Sequence, residues 1–173
     1  EFSNYCKNDC TYCGISIHNK ELTRYHMTPE EVIKTAEIGY SLGFRTFVMQ
    51  GGEDTSFTDD KFAAIISSIK TQFPEAAVTL SIGERSKESY QKLYDAGADR
   101  FLIRHETINK KLYEKLHPKM SYENRIKSLF DLKDIGFQVG TGFMVGVPGQ
   151  EIEDIANDLL FIKELNPHMI GIG

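Results

Sequence analysis

The chain has 173 residues, of which 40% are hydrophobic and 26% are charged, a balance typical of a globular domain that buries a core. The formal net charge is −5, and without a long Lys/Arg stripe to offset it we expect no nucleic-acid partner. No apolar stretch approaches the ~20 residues that span a bilayer and no signal peptide is apparent, so we expect no membrane partner.

A cysteine-rich loop comes first in chain order, after residues 1–5, which are predicted to end a first strand. Cys6, Cys10 and Cys13 have C-x3-C-x2-C spacing and are the only cysteines. An odd number crowded into one loop argues against a disulfide framework, and a reducing cytoplasm is the expected location. Three thiolates can hold an iron–sulfur cluster while leaving one iron without a protein ligand. A structural zinc site with His18 as the fourth ligand is the alternative that the spacing leaves open.

Helix and strand signals alternate along the rest of the chain. Thr28-Pro29-Glu30-Glu31 is a capping-box pattern with proline at the first helical position, and glycines mark several helix ends. The predicted helices are 28–43, 58–73, 86–96, 121–135 and 150–165, and the predicted strands are 44–50, 77–82, 100–104, 137–145 and 169 onward. With the first strand this gives about six strands and five helices, which predicts a parallel sheet covered by helices.

The alternation predicts an α/β fold of the TIM type, a (βα)-repeat barrel. About six βα units fit a (βα)8 barrel that is incomplete, since the complete form takes ~250 residues. The chain starts at Glu1 without Met and ends on Ile170-Gly171-Ile172-Gly173, which reads as the middle of a strand. We therefore expect residues 1–173 to be one barrel domain that is truncated at both termini.

Polar residues and glycines follow the predicted strands, where ligands bind in barrels and open α/β sheets. Thr79 and Ser81 share one strand face, which is expected to line the barrel interior. Taken alone, each signal has an ordinary structural explanation: a tight turn, a rim ion pair of Arg104 with Glu106, or glycine kinks. The isolated histidines His26, His117 and His168 are predicted to be surface or satisfied core residues. The segments that follow strands are the cysteine loop, Gln50-Gly51-Gly52-Glu53-Asp54, Gly83-Glu84, Arg104-His105-Glu106 and Gly146-Val147-Pro148-Gly149.

The cysteine spacing, with Tyr12 just before the third cysteine, resembles the loop of the radical S-adenosylmethionine (SAM) enzymes. The resemblance narrows to the HydE family, the radical SAM maturases of [FeFe]-hydrogenase, and runs essentially from end to end. It is carried by EFSNYCKNDCTYCGI, QGGED, VTLSIGE, GADRFLIRHET, LHPKMSYENR, GFMVGVPGQ and DLLFIKELNPHMIGIG.

The resemblance implies a role for each site residue. The three cysteines would ligate a [4Fe–4S] cluster, whose fourth iron would be chelated by the methionine part of SAM. Glu53 would bind the SAM amino group, and Arg104 and Arg125 would hold the SAM carboxylate, a task suited to guanidinium. The other implied SAM contacts are Tyr12 and Val145-Gly146 near the adenine, Glu106 at the ribose, and the turn glycines Gly51 and Gly52. The implied substrate cavity lies near Gln50, Thr79, Ser81 and Met169.

The implied activity is reductive cleavage of SAM to methionine and a 5′-deoxyadenosyl radical, in assembly of the di-iron dithiolate part of the hydrogenase H-cluster. The implied partners are a small organometallic or amino-acid-like substrate, a ferredoxin or flavodoxin as electron donor, and the other hydrogenase maturases. No cysteine is left for a second cluster, and no catalytic residue is assigned beyond the cluster and SAM site. The alternatives are a mutase that converts lysine to 3-methylornithine, a biotin-synthase-like enzyme, and a zinc-stabilised βα binding module without catalysis.

Overall fold

A computed structural model describes all 173 residues. Its five strands form one sheet in chain order, with every neighbouring pair parallel. The strands are β1 (Thr46–Gln50), β2 (Ala77–Ser81), β3 (Arg100–Leu102), β4 (Gln138–Phe143) and β5 (Met169–Ile172). The helices are α1 (Pro29–Ser41), α2 (Asp59–Gln72), α3 (Lys87–Asp95), α4 (Lys110–Leu116), α5 (Tyr122–Ile135) and α6 (Ile152–Leu165). The predicted parallel α/β architecture is thereby confirmed.

The local signals that predicted the helix ends work as expected. At the start of α1, Thr28 Oγ1 accepts from the Glu31 backbone N–H at 3.2 Å, and Glu31 Oε2 accepts from the Thr28 N–H at 2.7 Å. At the end of α5, Gly136 has a φ of +112°, a left-handed conformation that glycine adopts without steric penalty. Both ends were predictable because capping depends on residues that are adjacent in sequence.

The first predicted strand is not formed as a strand. Phe2 donates its N–H to the Gln50 carbonyl at 3.0 Å, and Ser3 then forms only isolated bridges, parallel to Gly51 and antiparallel to His26. The ladder stops there because Asn4 turns away and donates its N–H to the Tyr25 carbonyl at 3.1 Å. The sheet therefore has five strands rather than the expected six.

Helix α4 was not predicted. Asn109 caps it by accepting the Leu112 N–H at 3.2 Å, and its buried side chains are Leu112, Tyr113 and Leu116. Seven residues are too few for a clear 3.6-residue hydrophobic period, and the lysine pair in its first turn is unfavourable at a helix N-terminus. This helix is relevant to function because its C-terminal end meets the cysteine loop.

The two faces of the sheet differ in burial. On one face Val78, Leu80 and Phe101 are fully buried in a core shared with the helices, whereas Val48 on the other face is 52% exposed. Strand register pairs Gln50 with Ser81 and, through the intervening strands, places Thr79 on the same face as Met169. The four predicted cavity residues thus share this open face, on which Thr79 itself is only 3% exposed. No helix has both the length and the apolar character needed to cross a bilayer.

Candidate functional site

The cysteine loop is packed directly onto the turn that follows β1. A Cβ at Gly52 would lie 2.2 Å from the Tyr5 carbonyl oxygen and 2.6 Å from Cys6 Cβ, so only glycine permits this approach. The backbones are also joined, since Lys7 donates its N–H to the Glu53 carbonyl at 3.3 Å and the Glu53 N–H lies 3.4 Å from Cys6 Sγ. The thiols therefore lie at the carboxyl end of the sheet, as predicted.

All three cysteines are free and partly buried. Burial, followed by the neighbouring Cys13 and Cys6 thiolates, raises the pKa of Cys10 to about 12. Three unpaired thiols in one loop are a donor set that fits an iron–sulfur cluster held by three cysteines.

In the ligand-free arrangement these side chains do not surround a single metal-ion position. Zinc holds its ligands at about 2.0–2.3 Å, yet no three His, Cys, Asp or Glu side chains converge on a position for one ion. His18, the fourth ligand in the zinc alternative, has a side chain that is 72% exposed and lies 3.9 Å from Asp9. A cubane cluster differs in this respect, because it binds its ligands at separate corners.

The acidic residues that follow β1 and β2 belong to one ionic network. The Glu53 carboxylate pairs with Lys7 at 2.9 Å and accepts the Glu84 backbone N–H at 2.9 Å. Glu84 in turn accepts from Arg125 Nε at 2.6 Å, and Arg125 Nη1 donates to the Arg104 carbonyl at 2.5 Å. Burial raises the pKa of Glu84, and Arg125 opposes that rise. The network links the predicted SAM residues Glu53, Arg104 and Arg125.

Arg104 and Glu106 present unsatisfied polar atoms to each other. Arg104 Nη2 donates to the Phe143 carbonyl at 2.5 Å, but its Nε lies 3.4 Å from Glu106 Oε2 without a hydrogen bond. Both atoms are buried, and although they form an ion pair, neither makes a hydrogen bond, which is costly unless a ligand supplies one. Glu106 also has a φ of +65°, a strained conformation of the kind found at functional sites. The pair therefore fits a polar ligand with hydroxyl and carboxylate groups.

Two residues that were not predicted hold this turn in place. His105 is fully buried, with Nδ1 at 3.0 Å from Thr141 Oγ1 and Nε2 at 3.5 Å from Asp158 Oδ1. Asp158 on α6 also accepts the Ile108 N–H at 2.6 Å. His105 lies between Arg104 and Glu106, which were predicted to contact SAM, but nothing local in the sequence marks Asp158 as its partner.

We expect Glu106→Gln to stabilise the ligand-free protein at pH 8, by about 1–3 kcal/mol, because the cost of burying the Glu106 charge exceeds the attraction of Arg104 at 3.4 Å. Burial raises the pKa of Glu106, with Arg104 opposing. A carboxyl whose folded-state pKa is raised loses stability as pH rises through that pKa, so the advantage of the variant should shrink toward pH 4.5. Urea midpoints at the two pH values measure this. The exposed Glu114→Gln is the control, and a variant that is less stable at pH 8 would show that Arg104 compensates the charge.

The other predicted SAM contacts, Tyr12, Val145 and Gly146, are exposed or have partners of their own. Tyr12 is 46% exposed, and its hydroxyl lies 2.9 Å from Nε2 of the buried His117, a satisfied core residue as predicted. Val145 is half exposed, and Gly146 donates its N–H to Gln150 Oε1 at 2.8 Å. A polar cavity of about 550 Å³ borders Glu53 and Glu84 but not Arg104 or Glu106, so it accounts for only part of the implied site.

Comparison with known proteins identifies the family of this chain. The sequence model of the Radical SAM superfamily matches residues 1–162 of this chain. The [FeFe] hydrogenase maturase subunit HydE of Thermotoga maritima is 49% identical over 173 residues, which are 100% of this chain and 49% of that protein. The 3-methylornithine synthase of Methanosarcina acetivorans is 29% identical, with 99% of this chain and 49% of that protein covered.

Two solved structures have the same fold. Methylornithine synthase (PylB) superposes with a TM-score of 0.91 at 27% identity, covering 99% of this chain and 51% of that one. HydG, a maturase of the [FeFe]-hydrogenase, gives a TM-score of 0.85 at 26% identity, covering 99% and 41%. The chain spans about half the length of the curated relatives it matches.

Proposed function

This chain belongs to the radical SAM superfamily, and from that premise we propose that it binds a [4Fe–4S] cluster and SAM and acts in assembly of the hydrogenase H-cluster. The observation that carries the proposal is the group of three free cysteines held against the Gly51-Gly52-Glu53 turn at the carboxyl end of the sheet. The maturation role is supported by 49% identity to HydE, against 29% to 3-methylornithine synthase. The three free thiols also suit a reducing cytoplasm.

Cys6, Cys10 and Cys13 would hold the cluster, and reductive cleavage of SAM to methionine and a 5′-deoxyadenosyl radical is the chemistry it supplies when bound. The protein would bind and orient SAM. Glu53, now paired with Lys7, would accept the SAM ammonium group. Glu106 Oε2, which accepts no hydrogen bond in this structure, would accept from a ribose hydroxyl. Arg104, with Arg125 behind it, would attract the SAM carboxylate.

The substrate would lie on the open face of the sheet. Gln50, Thr79, Ser81 and Met169 share that face through the strand register. An amide, two hydroxyls and a thioether suit a small polar ligand with a soft centre, such as an organometallic or amino-acid-like molecule. The opposite face is filled by the apolar core, so this is the side on which the sheet can receive a substrate.

The proposal is tested by reconstituting the protein with iron and sulfide without air, reducing it with dithionite, and measuring 5′-deoxyadenosine. H-cluster assembly is tested by adding the protein, with the other maturases, to hydrogenase that lacks its di-iron subcluster. A second function, 3-methylornithine synthesis, is favoured by the TM-score of 0.91 to PylB. Lysine-dependent formation of 3-methylornithine, with no gain of hydrogenase activity, would replace the maturase proposal with this one.

We further propose that an acidic electron carrier, of the ferredoxin or flavodoxin type, docks on α4. Lys111, Lys115 and Lys119 are exposed and spaced by four residues, and Lys111 and Lys115 form no ion pair, unlike Lys119, which lies 3.8 Å from Asp9. Like charges at this spacing destabilise a helix, so a basic stripe in a chain of net charge −5 suits an anionic partner. The stripe adjoins the cysteine loop, because the Leu116 carbonyl accepts from a loop N–H at 2.9 Å.

Charge reversal on α4 should slow electron delivery from a protein but not from a small reductant. We expect Lys111→Glu/Lys115→Glu to reduce 5′-deoxyadenosine formation about 10-fold or more with a flavodoxin donor at low salt, and to leave the dithionite-driven rate unchanged. Lys34→Glu/Lys163→Glu, on α1 and α6, makes the same change in net charge elsewhere and is the control. Equal slowing with both reductants, or no slowing with flavodoxin, would contradict docking on α4.

A further inference from the structure

The segment Leu116–Met120, at the end of α4 and just beyond it, serves as a platform for the cysteine loop. It meets the loop through backbone, side-chain and sulfur atoms. This concentration of contacts ties the placement of the thiols to a part of the chain about 105 residues away. The contacts are Thr11 N–H to the Leu116 carbonyl (2.9 Å), the Tyr12 hydroxyl to His117 Nε2 (2.9 Å), Cys10 Sγ to Met120 Sδ (3.9 Å) and Lys119 Nζ to Asp9 Oδ2 (3.8 Å).

The geometry around His117 determines which atom donates in the contact with Tyr12. The imidazole is 1% exposed, and its Nδ1 lies 3.0 Å from the Tyr113 carbonyl oxygen, which can only accept. Nδ1 therefore carries the hydrogen. Burial lowers the pKa of His117 to about 4, so the ring is neutral and Nε2 accepts from the Tyr12 hydroxyl. Stacking on Tyr113 at 4.2 Å fixes the plane of the ring.

We propose that His117 is a positioning residue for the SAM site, because it holds the Tyr12 hydroxyl and thereby fixes the tyrosine ring and the loop between Cys10 and Cys13. The effect on SAM rests on the proposed function, whereas the effect on the loop is a property of the cofactor-free protein. The Tyr12 ring meets the imidazole edge-on, at 5.5 Å and 85°, and remains 46% exposed. Its free surface is therefore presented in one orientation, as a platform on which an adenine can stack.

The first test uses the cofactor-free protein and measures amide hydrogen exchange in the peptide that covers Thr11–Gly14. We expect His117→Leu to speed this exchange about 5-fold, the effect of one neutral hydrogen bond. His117→Gln, whose side-chain carbonyl can still accept, should restore most of the protection. Leu112→Ala, a core substitution in the same helix, is the matched control for a loss of stability. Equal exchange in parent and His117→Leu, or faster exchange in Leu112→Ala as well, would overturn the proposal.

The second test measures the Kd for SAM in the reconstituted protein, from the change in the electron paramagnetic resonance signal of the reduced cluster. We expect His117→Leu to raise Kd about 5-fold and His117→Gln to restore it. In the Tyr12→Phe background His117→Leu should have no further effect, since its acceptor role is already lost. Additive effects, or no rescue by glutamine, would overturn the proposal. A parent that forms no cluster and binds no SAM would instead refute the proposed function, and the exchange test would still judge the positioning role.

Discussion

Cys10→Ser is expected to abolish cluster assembly and SAM cleavage together. The parent should bind about four irons per chain and form 5′-deoxyadenosine, whereas the variant should show background iron and background product. Iron analysis, the visible absorption of the cluster and product chromatography measure the three quantities. A serine hydroxyl stays protonated where a thiol can ionise, and soft thiolate is the ligand that iron–sulfur clusters require.

Cys10 is partly buried. Burial and the two other thiolates raise its pKa to about 12, and Met120 Sδ lies 3.9 Å from its sulfur. Ser16→Ala, in the same loop, is the matched control and should leave iron content and product unchanged. A colourless parent that binds one zinc per chain, with no cleavage product, would refute the enzyme proposal.

The parts of the fold that were predictable are those with local causes. The capping box at Thr28 and the glycine stop at Gly136 act through neighbours in sequence, and the predicted helices 58–73 and 121–135 correspond closely to α2 and α5. The first strand was predicted wrongly and α4 was missed, because both depend on contacts with residues that are distant in sequence. Whether Ser3 extends a ladder depends on where Asn4 is held by Tyr25, and α4 is stabilised by packing rather than by its lysine-rich sequence.

In the candidate site, too, features with local causes were predictable and contacts between distant residues were not. The three cysteines lie in one loop, so their spacing indicated a metal or cluster site, and the shared face of Thr79 and Ser81 followed from strand alternation. Partner choice could not be predicted, because Glu84 meets Arg125 across 41 residues and Ile108 meets Asp158 across 50. The strain at Glu106 also departs from what local rules favour, and strained residues of this kind concentrate at functional sites.

Arg125→Met should destabilise the cofactor-free protein by about 3–5 kcal/mol, the typical effect of removing one partner of a buried ion pair. Arg125 and Glu84 have side chains that are 8% and 15% exposed and meet at 2.6 Å. The substitution leaves the Glu84 carboxylate buried without its cation and the Arg104 carbonyl without its donor. Urea denaturation at pH 8 measures the loss. Arg100→Met, whose contacts are exposed, should lose less than about 1 kcal/mol.

The pH dependence and the double variant distinguish an ion pair from simple packing. The pKa of Glu84 is already raised by burial against the pull of Arg125, so removing Arg125 must raise it further. A carboxyl with a raised folded-state pKa loses stability as pH rises through that pKa, and the defect should therefore be smaller at pH 5 than at pH 8. Glu84→Met/Arg125→Met should recover much of the loss, because an apolar pair of similar volume replaces the charges at little cost. A defect that is equal at both pH values and persists in the double variant would mean that Arg125 stabilises the site through packing alone. The guanidinium charge would then be available to bind the SAM carboxylate.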